Sequence, residues 1–366
     1  MNIALVVPGG VDVSGEYRVI PALLALLRRL SLHNAVHVFA LSQEEYPGSW
    51  TLAGASIHNI GYRHTRLRGV RAIYAQHRAS PFDVIQAIWS GSCSLVAVTA
   101  ARLLRLPCFV HVAGGELVSL PEIQYGGRSS WRGRVREAIV LRAANAVTAA
   151  STPVIASLSD LGIGGRRVSL GVDLDTWPPR APVRRERNAP ARLVHVASLN
   201  RVKDQGTLLR ALSCLTQDFH LDIVGEDTLG GAIQTLAAQL SLSERVTFHG
   251  FLPQRLMRPL VEAAHLMIVS SRHEAGPLAM LEAAVAGVPT VGTAVGHVCE
   301  WAPDASRSVA VGDWQGLAHT IRELLDDEEL RLQLAQAAFR RALEEDATRT
   351  AENFEALYAE ILASRH

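Results

Sequence analysis

Cysteine is scarce: Cys93, Cys108, Cys214 and Cys299 are scattered over 366 residues, with no C-x-x-C pair. That excludes a disulfide framework and a zinc-ribbon site, and favours buried free thiols in a reducing compartment. Charge of either sign is not in excess, with 36 Lys and Arg against 35 Asp and Glu, so composition gives no reason to expect nucleic acid as a partner. No run approaches the roughly 20 apolar residues of a membrane span. The opening MNIALVVPGG lacks a basic lead-in, and its apolar run is too short for a signal peptide. A cytoplasmic protein is expected. Neither G-x-G-x-x-G nor G-x-x-x-x-G-K-[ST] occurs, which disfavours classical dinucleotide and P-loop binding. No histidine cluster calls for a metal, and internal repeats are absent.

What is present is a soluble composition, 48% apolar and 19% charged, in a chain long enough for two domains. Apolar runs of strand length recur at 3–7, 35–41, 82–88, 107–112, 146–150 and 168–172, with helical patterns between them, notably 21–30 and 93–104. Such alternation predicts a parallel sheet covered on both faces. From Gly171 to Ala191 the chain turns Pro- and Arg-rich, which reads as a linker. The alternation then resumes, with strands near 193–197, 220–224, 245–249, 266–269, 290–293 and 308–311. The expected architecture is α/β. It comprises a Rossmann-like domain over 1–175, a linker over 176–190, a second Rossmann-like domain over 191–345, and a tail helix over 346–366 that packs back on the first domain.

The most informative stretch is 266–296, LMIVSSRHEAGPLAMLEAAVAGVPTVGTAVG. A strand leads through Ser270 and Ser271 into a charged turn. Pro277 suits the first position of a helix, and Leu278, Leu281, Ala284 and Val285 recur at helical spacing. The amides of Leu278 and Ala279 then lie at a helix N-terminus, where a phosphate is stabilised. Glu274 precedes this helix and Glu282 lies within it. A solvated amphipathic helix would need neither carboxylate for binding.

This stretch, E-A-G-P-L-A-M-L-E-A with its strand-Ser-Ser entry and Gly-x-Pro exit, resembles the E-x7-E signature of the retaining glycosyltransferases of family 4. The resemblance implies the GT-B fold, two Rossmann-like doubly wound domains facing a central cleft. It also implies transfer of a hexose from a nucleotide-diphosphate sugar to an acceptor hydroxyl on a glycan, a lipid-linked molecule or a small molecule. No cofactor beyond the nucleotide-sugar co-substrate is implied. Glu274 would contact the donor hexose and Glu282 the ribose hydroxyls. Gly276 and Pro277 stand where relatives carry an aromatic and a glycine, so the hexose wall would be more open and one phosphate-facing amide is lost.

Further residues follow from the same resemblance. Lys203 matches the lysine of G-R-L-x-x-x-K and would neutralise a departing diphosphate. Ser198 occupies the arginine position of that motif, and Arg201 is the candidate for the second positive charge. Gly225 would line the diphosphate and Phe251 the nucleobase. Gly296 lies where relatives approach the donor sugar; Glu300 either reaches the same region or serves as a cap or surface group. In the first half, the turn Val7-Pro8-Gly9-Gly10 and the later Gly15 would face the diphosphate, since glycine lets backbone approach a ligand closely. The relatives' histidine before a glycine pair is replaced here by Ala113. His111, two residues earlier on the same strand face, is an alternative to it or a core residue. Glu116 is a candidate for meeting the acceptor hydroxyl. The same features serve a nucleotide-sugar epimerase, a phosphorylase or a non-catalytic nucleotide-sugar-binding partner.

Two basic stretches complete the reading, 63–71 and Arg128 to Arg142, the latter with Arg132, Arg134 and Arg136 around Trp131. Charge runs are usually solvated faces. The Arg-plus-Trp composition of the second also suits peripheral contact with an anionic membrane.

Overall fold

The computed structural model describes residues 1–186 and 189–364. Arg187 and Asn188, within the stretch expected to be a linker, and the last two residues of the tail lie outside the described residues. The chain divides into two compact units, 1–173 with 346–366, and 174–345.

The first unit carries strands β1 (Asn2–Val7), β2 (Ala35–Ala40), β3 (Gly48–Leu52), β4 (Ala55–Asn59), β5 (Val84–Ile88), β6 (Cys108–Val112), β7 (Ala146–Ala149) and β8 (Arg166–Arg167). They form one sheet in the order β3-β4-β2-β1-β5-β6-β7-β8, parallel except for the β3–β4 hairpin. Its helices are α1 (Pro21–Leu30), α2 (Thr65–Ala79), α3 (Ser92–Leu104), α4 (Trp131–Ala143) and α5 (Thr152–Asp160). Connections β4→β5, β5→β6 and β6→β7 all run the same way along the sheet, so right-handed crossovers place α2, α3 and α4 on one face. Helix α1, which returns from β1 to β2, lies on the other. It packs there against the chain's last helix, whose Phe354, Leu357 and Tyr358 enter the core.

The second unit runs β9 (Ala191–Val196), α6 (Gln205–Ser213), β10 (Phe219–Val224), α7 (Ala232–Gln239), β11 (Val246–Phe248), α8 (Gln254–Glu262), β12 (Leu266–Val269), α9 (Leu278–Val285), β13 (Thr290–Thr293), α10 (Gly296–Trp301), β14 (Arg307–Val309), α11 (Trp314–Asp326) and α12 (Glu328–Glu344). Helix α13 (Ala347–Ala363) is the tail helix that returns to the first unit. The second sheet is fully parallel, in the order β11-β10-β9-β12-β13-β14. Its central strand β12 reads as an unbroken, fully buried apolar run because both faces are covered.

Most elements fall within a few residues of their expected bounds. The β3–β4 hairpin is an exception: its short strands, Gly48–Leu52 and Ala55–Asn59, alternate polar and apolar residues and sit at the sheet edge. Helix α2 was legible only as a basic run. The strand expected over 168–172 is a two-residue β8 upstream of it. In the tail, Ala356 faces solvent while Thr350, Ala351, Phe354, Leu357 and Tyr358 form the buried stripe. Of the four free cysteines, Cys93 and Cys108 are buried, whereas Cys214, at the end of α6, and Cys299, within α10, are exposed rather than enclosed.

Candidate functional site

In a doubly wound sheet, ligands bind beyond the carboxyl ends of the strands, where the strand order reverses. In the second unit that point lies between β9 and β12. The loop leaving β9 carries Lys203 and the loop leaving β12 carries Glu274, and topology brings them together. Lys203 Nζ meets Glu274 Oε1 at 2.5 Å, with 25% and 13% of the two side chains exposed. Ser271 Oγ donates to the same carboxylate oxygen at 2.6 Å.

The Lys203 loop is held from several sides. Asn200 Oδ1 accepts from the amides of Val202 (3.1 Å) and Lys203 (3.0 Å). The β12 exit pins it further: Ser270 Oγ donates to the Lys203 carbonyl at 2.9 Å, and the Arg272 amide to the Val202 carbonyl at 2.7 Å. Asp204 caps α6 through the Thr207 amide and pairs with Arg272 at 3.2 Å. Beneath the loop, His195 on β9 bonds the Ile268 carbonyl on β12 (2.8 Å) and the Gln205 amide of α6 (3.1 Å). Gln205 also donates to the Ser198 carbonyl at 3.1 Å. Burial lowers the His195 pKa to about 4, so the ring is neutral and serves as a strut. The sequence reading missed His195. A lone histidine inside an apolar strand gives no signal until its partners are placed.

Pro277 takes the cap position of α9 rather than its first turn, with ψ 108 keeping it extended, and the helix starts at Leu278. The first amides of α9, at Leu278 and Ala279, have no backbone acceptor within the helix, as at any helix start. The helix closes in a Schellman arrangement: Val288 donates to the Ala283 carbonyl and Gly287 to that of Ala284. Gly287 has φ +76, and an added Cβ would lie 2.8 Å from the Arg180 carbonyl. The segment expected to be a linker thus packs on the helix that carries Glu282.

Glu282 is 3% exposed, which rules out a helix face turned to water. Its Oε1 accepts from Gln254 Nε2 of α8 at 2.6 Å. Burial pushes this carboxyl up to about 7, with Gln254 and the Trp177 indole pulling the other way. Gly225 lies where a Cβ would sit 2.0 Å from the Ala197 carbonyl, so only glycine fits between the β9 and β10 exits. Phe251 is half exposed, Gly276 partly buried, and Ser198 and Arg201 are exposed. Gly296 opens α10 beside the Glu274 carbonyl, and His297 Nδ1 meets Glu300 Oε2 at 2.9 Å.

One further signal stood in the sequence unread. Lys203 is the only lysine of the chain; every other fixed cation is an arginine. An arginine fork would not reproduce its compact ammonium at a point contact.

The residues proposed in the first unit are placed differently. His111 is fully buried, bonded to Thr148 Oγ1 at 2.9 Å and edge-on to Phe354 of α13. Burial lowers its pKa to about 3. His111 therefore packs as a core histidine under the tail helix, whereas Ala113, just past the strand, is partly exposed. Glu116 accepts from the amides of Ser90 (3.1 Å) and Gly114 (2.7 Å), and burial outweighs these bonds to raise its pKa. Its oxygens tie two loops together. Gly10, at φ +81 with Ile20 at 2.5 Å from any Cβ, gives its amide to Gln43 Oε1 (2.7 Å), and Gly15 gives its amide to the Asp12 carbonyl. Gly9 is partly buried beside Gln43.

Comparison with known proteins bears on the second unit first. Residues 181–341 match the family model of glycosyl transferases, group 1. The glycosyl transferase match contains Lys203, Gly225, Phe251, Glu274 and Glu282, and no candidate of the first unit. The chain is 29% identical over 175 residues to N-acetyl-alpha-D-glucosaminyl L-malate synthase of Bacillus anthracis, 46% of this chain and 45% of that protein. It therefore spans about half the length of such a curated relative. Among solved structures, sucrose-phosphate synthase from Thermosynechococcus elongatus superposes with TM-score 0.82 at 21% identity, covering 99% of both chains. Anabaena HepE, in complex with UDP and glucose, gives 0.75 at 18% identity over the whole of both chains. At these identities the likeness is one of fold. The fold is GT-B, two parallel-sheet α/β units.

Proposed function

We propose that the chain is a retaining glycosyltransferase that moves a hexose from a nucleotide-diphosphate sugar to an acceptor hydroxyl, without a metal. The observation that carries this reading is the meeting of Lys203, Glu274 and the start of α9 at one switch point, with Glu282 buried behind them. The donor diphosphate takes Lys203 and the amides of Leu278 and Ala279, which stabilise charge as it leaves. Glu274, released from Lys203, accepts hydrogen bonds from hexose hydroxyls, and Glu282 accepts them from the ribose. The bond from the anomeric carbon to phosphate breaks as the acceptor oxygen attacks from the same face. The acceptor proton passes to the departing diphosphate. The structures of HepE in complex with UDP and with UDP-glucose support the choice of donor class.

A second reading, a nucleotide-sugar-binding partner without turnover, is favoured by one observation. The arginine position of the lysine motif is the exposed Ser198, and Arg201 is solvent-exposed. This reading expects ligand binding with neither transfer nor donor hydrolysis.

The test is a thermal-shift panel of UDP, GDP, ADP and their hexose conjugates, on wild type and Glu282→Ala. Ligand at 100 times Kd stabilises by about 2.7 kcal/mol. One nucleotide series shifting the wild type, with the shift lost in the variant, supports the site. No shift with any nucleotide overturns it.

A further inference from the structure

One face of the first unit is unlike the rest of the chain. Helices α2, α3 and α4 lie side by side on it, and together they hold nine arginines, no aspartate and one glutamate. That glutamate, Glu137, is buried and bonded to Ser90 Oγ at 2.8 Å, so these three helices present no exposed carboxylate; on this layer Asp160 stands exposed at the end of α5. Arg134 and Arg142 bond backbone carbonyls, at 3.2 and 3.0 Å. On the opposite layer, Glu360 and Glu352 of α13 pair with Arg166 and Arg349. A protein of net charge +1 thus concentrates cations on one side.

The same face exposes apolar side chains. Trp131, Val135 and Ile139 of α4 are 64%, 49% and 58% exposed. Spaced four apart, they form a single stripe along the helix. Arg132 stacks over Trp131 with its guanidinium carbon 5.5 Å from the ring centroid. Leu103 of α3 and Leu67 and Tyr74 of α2 extend the apolar surface. Scattered exposed apolar residues need no explanation, whereas a stripe rimmed by arginines marks an interaction surface. Tryptophan and arginine on one helix face suit the headgroup level of a bilayer, where the ring enters the interface and guanidiniums meet phosphates.

We infer that this face, centred on α4, docks the protein on an anionic lipid bilayer. The occupant follows from charge complementarity: a surface with nine arginines and no exposed carboxylate on its three helices matches anionic headgroups, and the apolar stripe matches the acyl boundary. A soluble polyanion would use the arginines and leave the stripe in water. The inference stands whether or not the sugar-transfer reading holds, because none of its residues belongs to the second unit's site.

The experiment is co-sedimentation of the full chain with phosphatidylcholine vesicles, with and without phosphatidylglycerol, and with heparin as the soluble polyanion. Two exposed-site variants are compared, Arg132→Gln/Arg134→Gln and Trp131→Ser/Val135→Ser/Ile139→Ser. Unchanged melting temperature and nucleotide-induced shift report that each remains folded. Binding to anionic vesicles only, weakened about tenfold or more in each variant and by added salt, supports docking. Equal sedimentation with neutral vesicles, no sedimentation, variants that bind like wild type, or capture by heparin without vesicles would each overturn it.

Discussion

Each unit has a switch point, and the two are built from opposite materials. In the first, between β1 and β5, the Gly10 amide is spent on Gln43, and Ser90 is clamped by Glu116 and Glu137. In the second, between β9 and β12, a lysine and a glutamate hold one another across two loops above a buried histidine strut. A carboxylate wrapped in backbone amides cannot be withdrawn without breaking the loops it joins. A side-chain ion pair can open and offer both partners to a ligand at little structural cost. Topology supplies two equivalent places, and the kind of partner each carboxylate has is what distinguishes them.

The strongest way to break this comparison is at Lys203. Lys203→Ala is expected to lower the transfer rate about 100- to 1,000-fold, the scale of losing one charge-stabilising group. Lys203→Arg should restore little of it. Initial rates with the donor that stabilises the protein measure both; a loss under about threefold would move the leaving-group role elsewhere. As the sole lysine, Lys203 shares amine-directed acylation only with the N-terminus, and donor should protect it in peptide mass spectra.

Glu282 sharpens the comparison by separating binding from stability. Its carboxyl is raised from 4.5 to about 7, so between those values the folded protein holds a proton that the unfolded chain has released. Stability therefore falls as pH rises through that window, by at most about 3–4 kcal/mol. Glu282→Gln should weaken nucleotide binding at least about tenfold while flattening this slope and raising the melting temperature of the unliganded protein at pH 8. Isothermal titration and melting curves from pH 5 to pH 8 check the two halves. A variant that binds normally would make Glu282 structural.

The first unit should respond the other way. Glu116→Ala removes the acceptor for two loop amides and is expected to cost about 1–3 kcal/mol of stability. Nucleotide affinity in the second unit should stay within about twofold. Denaturant midpoints and titrations give both numbers. A tenfold loss of transfer with unchanged stability would return Glu116 to an acceptor role.

The contrast also explains what could be read beforehand. The apolar runs of β1, β5, β9 and β12 and the helical spacing in α9 are local, and they gave the two-sheet architecture and the neighbourhood of Glu274. The β3–β4 hairpin was missed because its half-exposed edge strands alternate over only five residues each. Glu116 and Glu274 look alike as letters, a carboxylate after a strand beside glycine or serine. Their difference lies in which distant groups reach them, Ser90 in one case and Lys203 in the other. The buried His195 strut and the covering of His111 by Phe354 are likewise long-range facts.

His111 carries the smallest expected effect on transfer. Its ring is neutral in the fold, with pKa lowered from 6.5 to about 3. Between these values the unfolded chain binds the extra proton, so this residue makes stability rise with pH over that window and fall on acidification. His111→Leu keeps comparable bulk against Phe354, loses the bond to Thr148, and removes the proton linkage. Transfer per folded molecule at pH 7.5 should stay within about twofold, while the loss of melting temperature between pH 6.5 and pH 4 becomes shallower. A hundredfold fall in rate with native melting behaviour would place the ring at the chemistry after all, because a buried imidazole bonded to Thr148 is expected to act on packing and protonation alone.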